Sequence, residues 1–324
     1  MSLPDWARAH GSPLFVATLR TTPADFDVTE ELGIEFSGDG EHDLLRIEKT
    51  GANTEWVARQ LAKHAGVPVK DVGYSGLKDR HAVARQWFSV PRWHTPDWDG
   101  LVIEGVTLLQ QQRHYRKLRR GTHKANHFQI VLRGKDLRQH ASALGERLAA
   151  IESGGVPNYF GEQRFGRDGG NLTLADDWAS GRRLPRHQRS IAISTIRSFL
   201  FNEKLHSRVL GGSWNAMLDG DIANLDGTGS VFNVEVVDAE IERRCNEMDI
   251  HPTAALVGEG SQCGHEAWQA ALDNARVKAA SRSLRLRVSE LKLDMNDDAV
   301  MLEFSLGRGA YATSVLREIM LTTV

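Results

Sequence analysis

The sequence predicts an α+β fold. Helical and strand periodicities both occur, they mix without a regular strand–helix–strand cadence, and no internal repeat or low-complexity tract interrupts them. Leu44-Leu45-Arg46-Ile47-Glu48 shows partial period-two alternation, the pattern of a strand. Asn53-Thr54 then offers an N-cap, Val57 and Leu61 follow at helical spacing, and Gly66 supplies a stop, so a short helix is expected. Residues 72–74 and 86–90 are two β-rich runs bracketing a polar loop, Ser75-Gly76-Leu77-Lys78-Asp79-Arg80-His81. Phe128, Ile130 and Leu132 alternate with His127, Gln129 and Val131, another strand. Leu137, Ala141, Leu144, Leu148 and Ile151 recur at steps of four and three, the apolar stripe of an amphipathic helix. Ser153-Gly154-Gly155-Val156-Pro157 is a hinge signal. Beyond it, residues 191–209 predict a mostly apolar helix, and Asp219-Gly220-Asp221 and Asp226-Gly227-Thr228-Gly229 predict turns. Leu302, Phe304 and Leu306 alternate with Met301, Glu303 and Ser305 in a last strand, and Gly307 and Gly309 lead into a helix from about Thr313.

At 324 residues, 41% apolar and 25% charged, the chain has the length of two domains and enough apolar mass for a sizeable core. Its apolar runs are too short to span a bilayer, and Met1-Ser2-Leu3-Pro4-Asp5 lacks the basic-then-apolar pattern of an export signal. No membrane association and a cytoplasmic location are therefore expected. Cys245 and Cys263 are the only cysteines, which excludes a disulfide scaffold and a cysteine-based zinc site. The 13 histidines show no HExxH spacing, and His123 and His127 run into a predicted strand, so no metal is expected.

A net charge of −2 conceals segregation. Arg113, Arg116, Lys117, Arg119, Arg120 and Lys124 fall within residues 112–125, with His114 and His123 among them and no carboxylate. Tyr115 is interleaved and Phe128 follows, as in a phosphate-tracking surface beside an aromatic one, so RNA or DNA is the expected partner; the alternative is a solvated charged face. In the polar loop, small Ser75 and Gly76 permit a sharp turn, while Lys78 and Arg80 place two cations beside Asp79. That setting suits an ionised nucleophile or base, against the alternative of a solvated turn. Residues 73–78 lack the GxxxxGK[ST] spacing and Asp79 follows them, and the GRDGG at 166–170 precedes no dinucleotide-binding unit, so no nucleotide cofactor is expected. Phe26, Phe160, Phe165 and Tyr311, taken singly, read as core residues.

Five strings, in order, resemble the TruD family of tRNA pseudouridine synthases. They are Phe26-Asp27-Val28-Thr29-Glu30; the loop from Gly73 to Ala82 (GYSGLKDRHA) with Gln86-Trp87; the basic motif from Leu118 to Phe128 (LRRGTHKANHF); the run from Val156 to Gly166 (VPNYFGEQRFG); and that from Gly309 to Glu318 (GAYATSVLRE). Ala125 stands where that family often has Gly, and Arg20 where it has Lys. The resemblance implies isomerisation of a tRNA uridine, at position 13 of the D-arm, to pseudouridine, by a monomer without cofactor or metal. It also implies a catalytic domain on a mixed sheet, residues 1–153 plus 300–324, and an inserted domain, 154–299, in a V shape with a central cleft. It makes Asp79 the catalytic carboxylate, attacking sugar or base or abstracting a sugar proton. Tyr311 would lie against the uridine with Phe128 and Phe26 beside it, and Asn126 would read a uracil edge or the ribose. Arg20, Lys78 or Arg317 would orient Asp79 or neutralise a phosphate.

Overall fold

The computed structural model describes residues 3–323. Its first half runs β1 (Phe15–Leu19), β2 (Phe26–Leu32), β3 (His42–Thr50), α1 (Thr54–Ala65), β4 (Gly73–Tyr74), β5 (Val83–Pro91), β6 (Val106–His114), β7 (His123–Arg133) and α2 (Ala141–Gly154). Then come β8 (Val156–Pro157), α3 (Gly170–Ala179), α4 (Arg186–Leu210), β9 (Ile222–Leu225), β10 (Val231–Asn233), α5 (Ala239–Asn246), β11 (Ile250–Leu256), α6 (Glu266–Asn274), β12 (Ala280–Ser283) and β13 (Arg285–Leu286). The chain finishes with β14 (Val288–Met295), β15 (Ala299–Gly307), α7 (Ala312–Leu316) and β16 (Met320–Thr323).

The expected mixed sheet is present. It has ten strands, with a main path β14-β15-β7-β2-β5-β3-β6; β1 joins β7 and β16, and β4 joins β5. Among the described residues, β2–β5 and β1–β16 are its parallel pairs. A four-stranded sheet, β10-β9-β11-β12, and the pair β13-β8 complete the β-structure.

Local signals explain several elements. The Asn53 side chain accepts the Trp56 N–H at 2.8 Å, and Gly66 closes α1 in the left-handed conformation at φ 66°. Val57 and Leu61 are buried against Leu45, Ile47, Phe88 and Val90 of the sheet, each contributing roughly 1.5–3 kcal/mol. In α2 the buried stripe is Leu144, Leu148 and Ile151; Ala141 is exposed, and Leu137 sits in the 3-10 turn Leu137–His140 that leads in. The helix expected over 191–209 starts earlier, at Arg186.

The chain forms two compact units. One comprises Leu14–Leu148, Val288–Gly309 and the residues from Met320 on; the other comprises the segment up to Pro13, Ala149–Arg287 and Ala310–Ile319. These units differ from the expected boundaries at identifiable places. Strand β14 joins the large sheet by pairing with β15, and the 310–319 segment packs with the N-terminal segment because Arg317 donates to the carbonyls of Trp6 and Ala7 while Glu318 accepts the N–H groups of Ala9 and His10. A second core, around Phe160, Phe165, Phe199, Phe201 and Trp268, belongs to the latter unit.

Candidate active site

Strand register assembles one face of the large sheet. Phe26, Val28 and Glu30 of β2 stand opposite Ile130, Phe128 and Asn126 of β7, and Phe304 and Leu306 of β15 stand opposite Phe128 and Asn126. With side chains alternating sides, these residues share a face. Phe128 stacks on Phe304 at 5.4 Å between centroids and meets Phe26 edge-on at 6.0 Å, the geometries favoured by ring quadrupoles.

The loop between β4 and β5 brings Asp79 to Arg20, which links it to the Phe26 ring. Arg20 Nη2 donates to Asp79 Oδ2 at 2.5 Å, and the same guanidinium lies 4.1 Å from the Phe26 ring centroid. Arg20 holds φ 63°, a left-handed conformation costly for a residue with a side chain and most often tolerated where function fixes geometry. Asp79 remains half-exposed, so its carboxylate is both oriented and reachable.

The charges flanking Asp79 in sequence do not serve it. Lys78 turns to Glu30, 2.8 Å away, and both side chains are buried; Arg80 Nε donates to the Gly51 carbonyl. Local sequence places three charges together, but β2 brings Glu30 within reach of Lys78 and leaves Arg20 as the cation on Asp79. Nor is Gly76 the strained glycine. A Cβ there would meet only ordinary contacts, whereas one at Gly73 would strike the Leu118 carbonyl and Ser89 Oγ.

Asn126 Oδ1 on this face, Ser75 Oγ in the loop after β4 and His123 Nδ1 at the start of β7 are among the buried side-chain atoms without a hydrogen-bond partner in the described residues. Burial also lowers the His123 pKa, favouring the neutral imidazole.

A family model described as tRNA pseudouridine synthase D (TruD) matches residues 9–175 and 170–319. The chain belongs to the TruD family of tRNA pseudouridine synthases. The tRNA pseudouridine synthase D of Methylococcus capsulatus is 42% identical over 98% of this chain and 94% of the relative. That of Hydrogenovibrio crunogenus is 40% identical over 98% of this chain and 97% of the relative. A crystal structure of a Methanosarcina mazei protein assigned to TruD covers 99% of this chain and 95% of its own, with a TM-score of 0.72; at 20% identity it shows the shared fold.

In this TruD-family chain the basic run spans the end of β6, the following loop and the start of β7. Lys117, Arg119 and Arg120 line a cavity of about 530 Å³ together with Arg59, Lys70 and Tyr74. The Gly121 N–H donates to the Ser75 carbonyl at 2.8 Å, tying this basic loop to the Asp79 loop. Arg113 and Arg116 are exposed, the latter beside the Tyr115 ring. Lys124 is matched by Glu31 at 3.0 Å, so the run is less unopposed than its sequence implies. Arg59 and Lys70 escaped sequence reasoning because each is an isolated cation far from the run; the cavity alone groups them.

Tyr311 and Arg317 belong to the other compact unit. Tyr311 precedes α7, is partly exposed, and its hydroxyl accepts from Arg164 Nη2 at 3.1 Å. Arg317 donates to the carbonyls of Trp6 and Ala7 and to Glu318, and covers the Tyr159 ring at 4.8 Å. Its guanidinium therefore supports its own unit, where the sequence suggested a hold on Asp79 or a phosphate. Among the described residues no three His, Cys, Asp or Glu side chains are grouped to hold a metal ion, and no helix is long and apolar enough to cross a membrane.

Proposed function

We propose that this chain converts the uridine at position 13 of the tRNA D-arm into pseudouridine, with Asp79 as the catalytic carboxylate and no cofactor. The observation that carries this reading is that Arg20 holds Asp79 while covering the Phe26 ring of the Phe26–Phe128 pair, on the sheet face that also bears Asn126. The reaction breaks the N1–C1′ bond, turns the uracil, joins C5 to C1′, and moves the C5 proton away while N1 gains one, so it is an isomerisation without net redox change. Asp79 serves each route by attacking the sugar, attacking the base or removing a sugar proton, and is regenerated at the end. Asn126 can accept the uracil N3–H or a ribose hydroxyl through the oxygen that lacks a partner. The uridine must leave its stack, and an aromatic partner returns about 1–3 kcal/mol of that cost. Phe128 and Phe26 are assigned to this face, and Arg317 to holding the segment that bears Tyr311 within its own unit.

The basic cavity is assigned to RNA phosphates, in a monomer acting on the cytoplasmic tRNA pool. Charge reversal of Arg119 and Arg120 together is expected to weaken tRNA binding by at least about tenfold and to reduce the slope of log affinity against log salt by about 1–2, as two phosphate contacts are lost. An unchanged slope would return the run to a solvated face.

The overall reading is tested by incubating purified enzyme with unmodified tRNA carrying C5-tritiated uridine and mapping the product. Tritium release with pseudouridine at position 13 supports it. RNA binding without release would leave a non-catalytic RNA-binding protein, and release from another position would overturn the site assignment.

A further inference from the structure

We propose that Lys49 is a positioning residue for this reaction, its ammonium holding the backbone of the Asp79 loop from beneath. The proposal rests on Asp79 being the catalytic carboxylate. Lys49 occupies the next inward position on β3 after Leu45 and Ile47 and is fully buried. Its Nζ donates to the carbonyls of Ala52 at 2.7 Å, Asp79 at 2.7 Å and Lys78 at 3.4 Å, one acceptor for each ammonium proton. Among the described residues no carboxylate forms an ion pair with it. An apolar residue would continue the stripe without the cost of burying a charge, so packing alone does not account for a lysine here.

The surrounding loop is pinned at neighbouring points. The Lys78 N–H donates to Thr54 Oγ1 at 2.9 Å, the Thr54 hydroxyl donates to Gln86 Oε1 at 2.7 Å, and Gln86 Nε2 donates to the Gly76 carbonyl at 3.2 Å. These contacts fix residues 76 and 78, whereas Lys49 reaches the Asp79 peptide itself. The half-exposed carboxylate thus stands on a fully buried support.

The charge on Lys49 is finely balanced. Burial lowers its pKa to about 8; the Asp79 carboxylate favours the ammonium and the Lys78 ammonium opposes it. Arg80 faces the Gly51 carbonyl, and the cross-strand neighbours Ala84 and Val106 carry no charge. Below about pH 8 Lys49 has three protons for three carbonyls. Above it, the amine keeps two protons and turns a lone pair toward an acceptor, so its hold on the loop weakens as pH rises.

Single-turnover rates and tRNA dissociation constants, measured from about pH 7 to about pH 9.5, decide the matter. In the wild type the rate is expected to fall about fivefold or more, with a midpoint near 8, while binding changes less than about twofold. Lys49→Arg, whose cation does not deprotonate, should keep neutral-pH activity within about tenfold and lose the alkaline fall. A fall that persists in Lys49→Arg would belong to ionisation of the uracil and overturn the proposal. Should that variant not fold, amide exchange of residues 78–81 in wild-type enzyme without RNA is the second readout. Acceleration above about pH 8 beyond the intrinsic base-catalysed rise is expected, and its absence overturns the proposal. Failure here with Asp79→Asn inactive leaves the catalytic reading intact; activity of Asp79→Asn removes that reading first.

Discussion

Asp79→Asn is expected to reduce the single-turnover rate of pseudouridine formation by at least about 10⁴-fold, equivalent to about 5.5 kcal/mol of barrier. Asparagine has the same shape, and its amide oxygen can still accept from Arg20 Nη2, so the loop and the Arg20–Phe26 contact should persist. What disappears is the capacity to attack carbon or take a proton. Because Asp79 is half-exposed and its pair with Arg20 lies at the surface, melting should shift little. Affinity for tRNA should change less than about threefold, since the carboxylate contributes no attraction for phosphate. Pseudouridine mapping under single-turnover conditions, with filter binding alongside, measures both quantities. Turnover within about tenfold of wild type would remove Asp79 from the chemistry.

Lys78→Met should act on the fold, and strongly. Glu30 is fully buried on the sheet, accepting from Lys78 Nζ at 2.8 Å and from the Trp87 N–H at 3.2 Å. Without the ammonium it becomes an uncompensated buried carboxylate, a loss of about 3–5 kcal/mol that lowers the melting temperature by on the order of 10 °C. Calorimetry of the variant beside the wild type measures the loss. Glu30→Gln in the same chain should restore most of the stability, because the amide oxygen can still accept from Trp87. No rescue would show that the pair is not held as the structure has it.

Sequence revealed elements whose information is local. The Asn53 cap, the Gly66 stop and the alternations leading to β7 and β15 each lie within a few residues, and the structure has each of them. The loop carrying Asp79 was legible for the same reason, as a polar stretch between two β-rich runs. Pairings across the sheet were not. Lys78 finds Glu30 through the placement of β2 against β5 and β7, and Asp79 finds Arg20, which directly follows β1, across 59 positions; no short window encodes either. The flanking cations at 78 and 80 were therefore a misleading guide to the electrostatics of Asp79. Lys49 was missed although its signal existed: Leu45, Ile47 and Lys49 keep one alternation, but lysine is ordinarily an exposed residue and ends an apolar stripe on the page. The small sheet β10-β9-β11-β12 also escaped notice, since two of its strands, β9 and β12, are only four residues long and one, β10, is three.

The long separation between β7 and its partner β15 bears on how the nascent polypeptide matures. One flank of β7 is covered by β1 and β2 early, but the other pairs along residues 125–133 with 299–307, after more than 150 intervening positions. At ordinary translation speeds that interval is on the order of ten to thirty seconds. Throughout it, β7 presents an open edge, with Phe128 lacking its Phe304 cover. The Phe128–Phe304 contact is thus withheld until β15 has been made, and the exposed ribbon is a natural point for misassociation between polysome neighbours. Slower translation between β7 and β15 should increase insoluble product by lengthening this exposure.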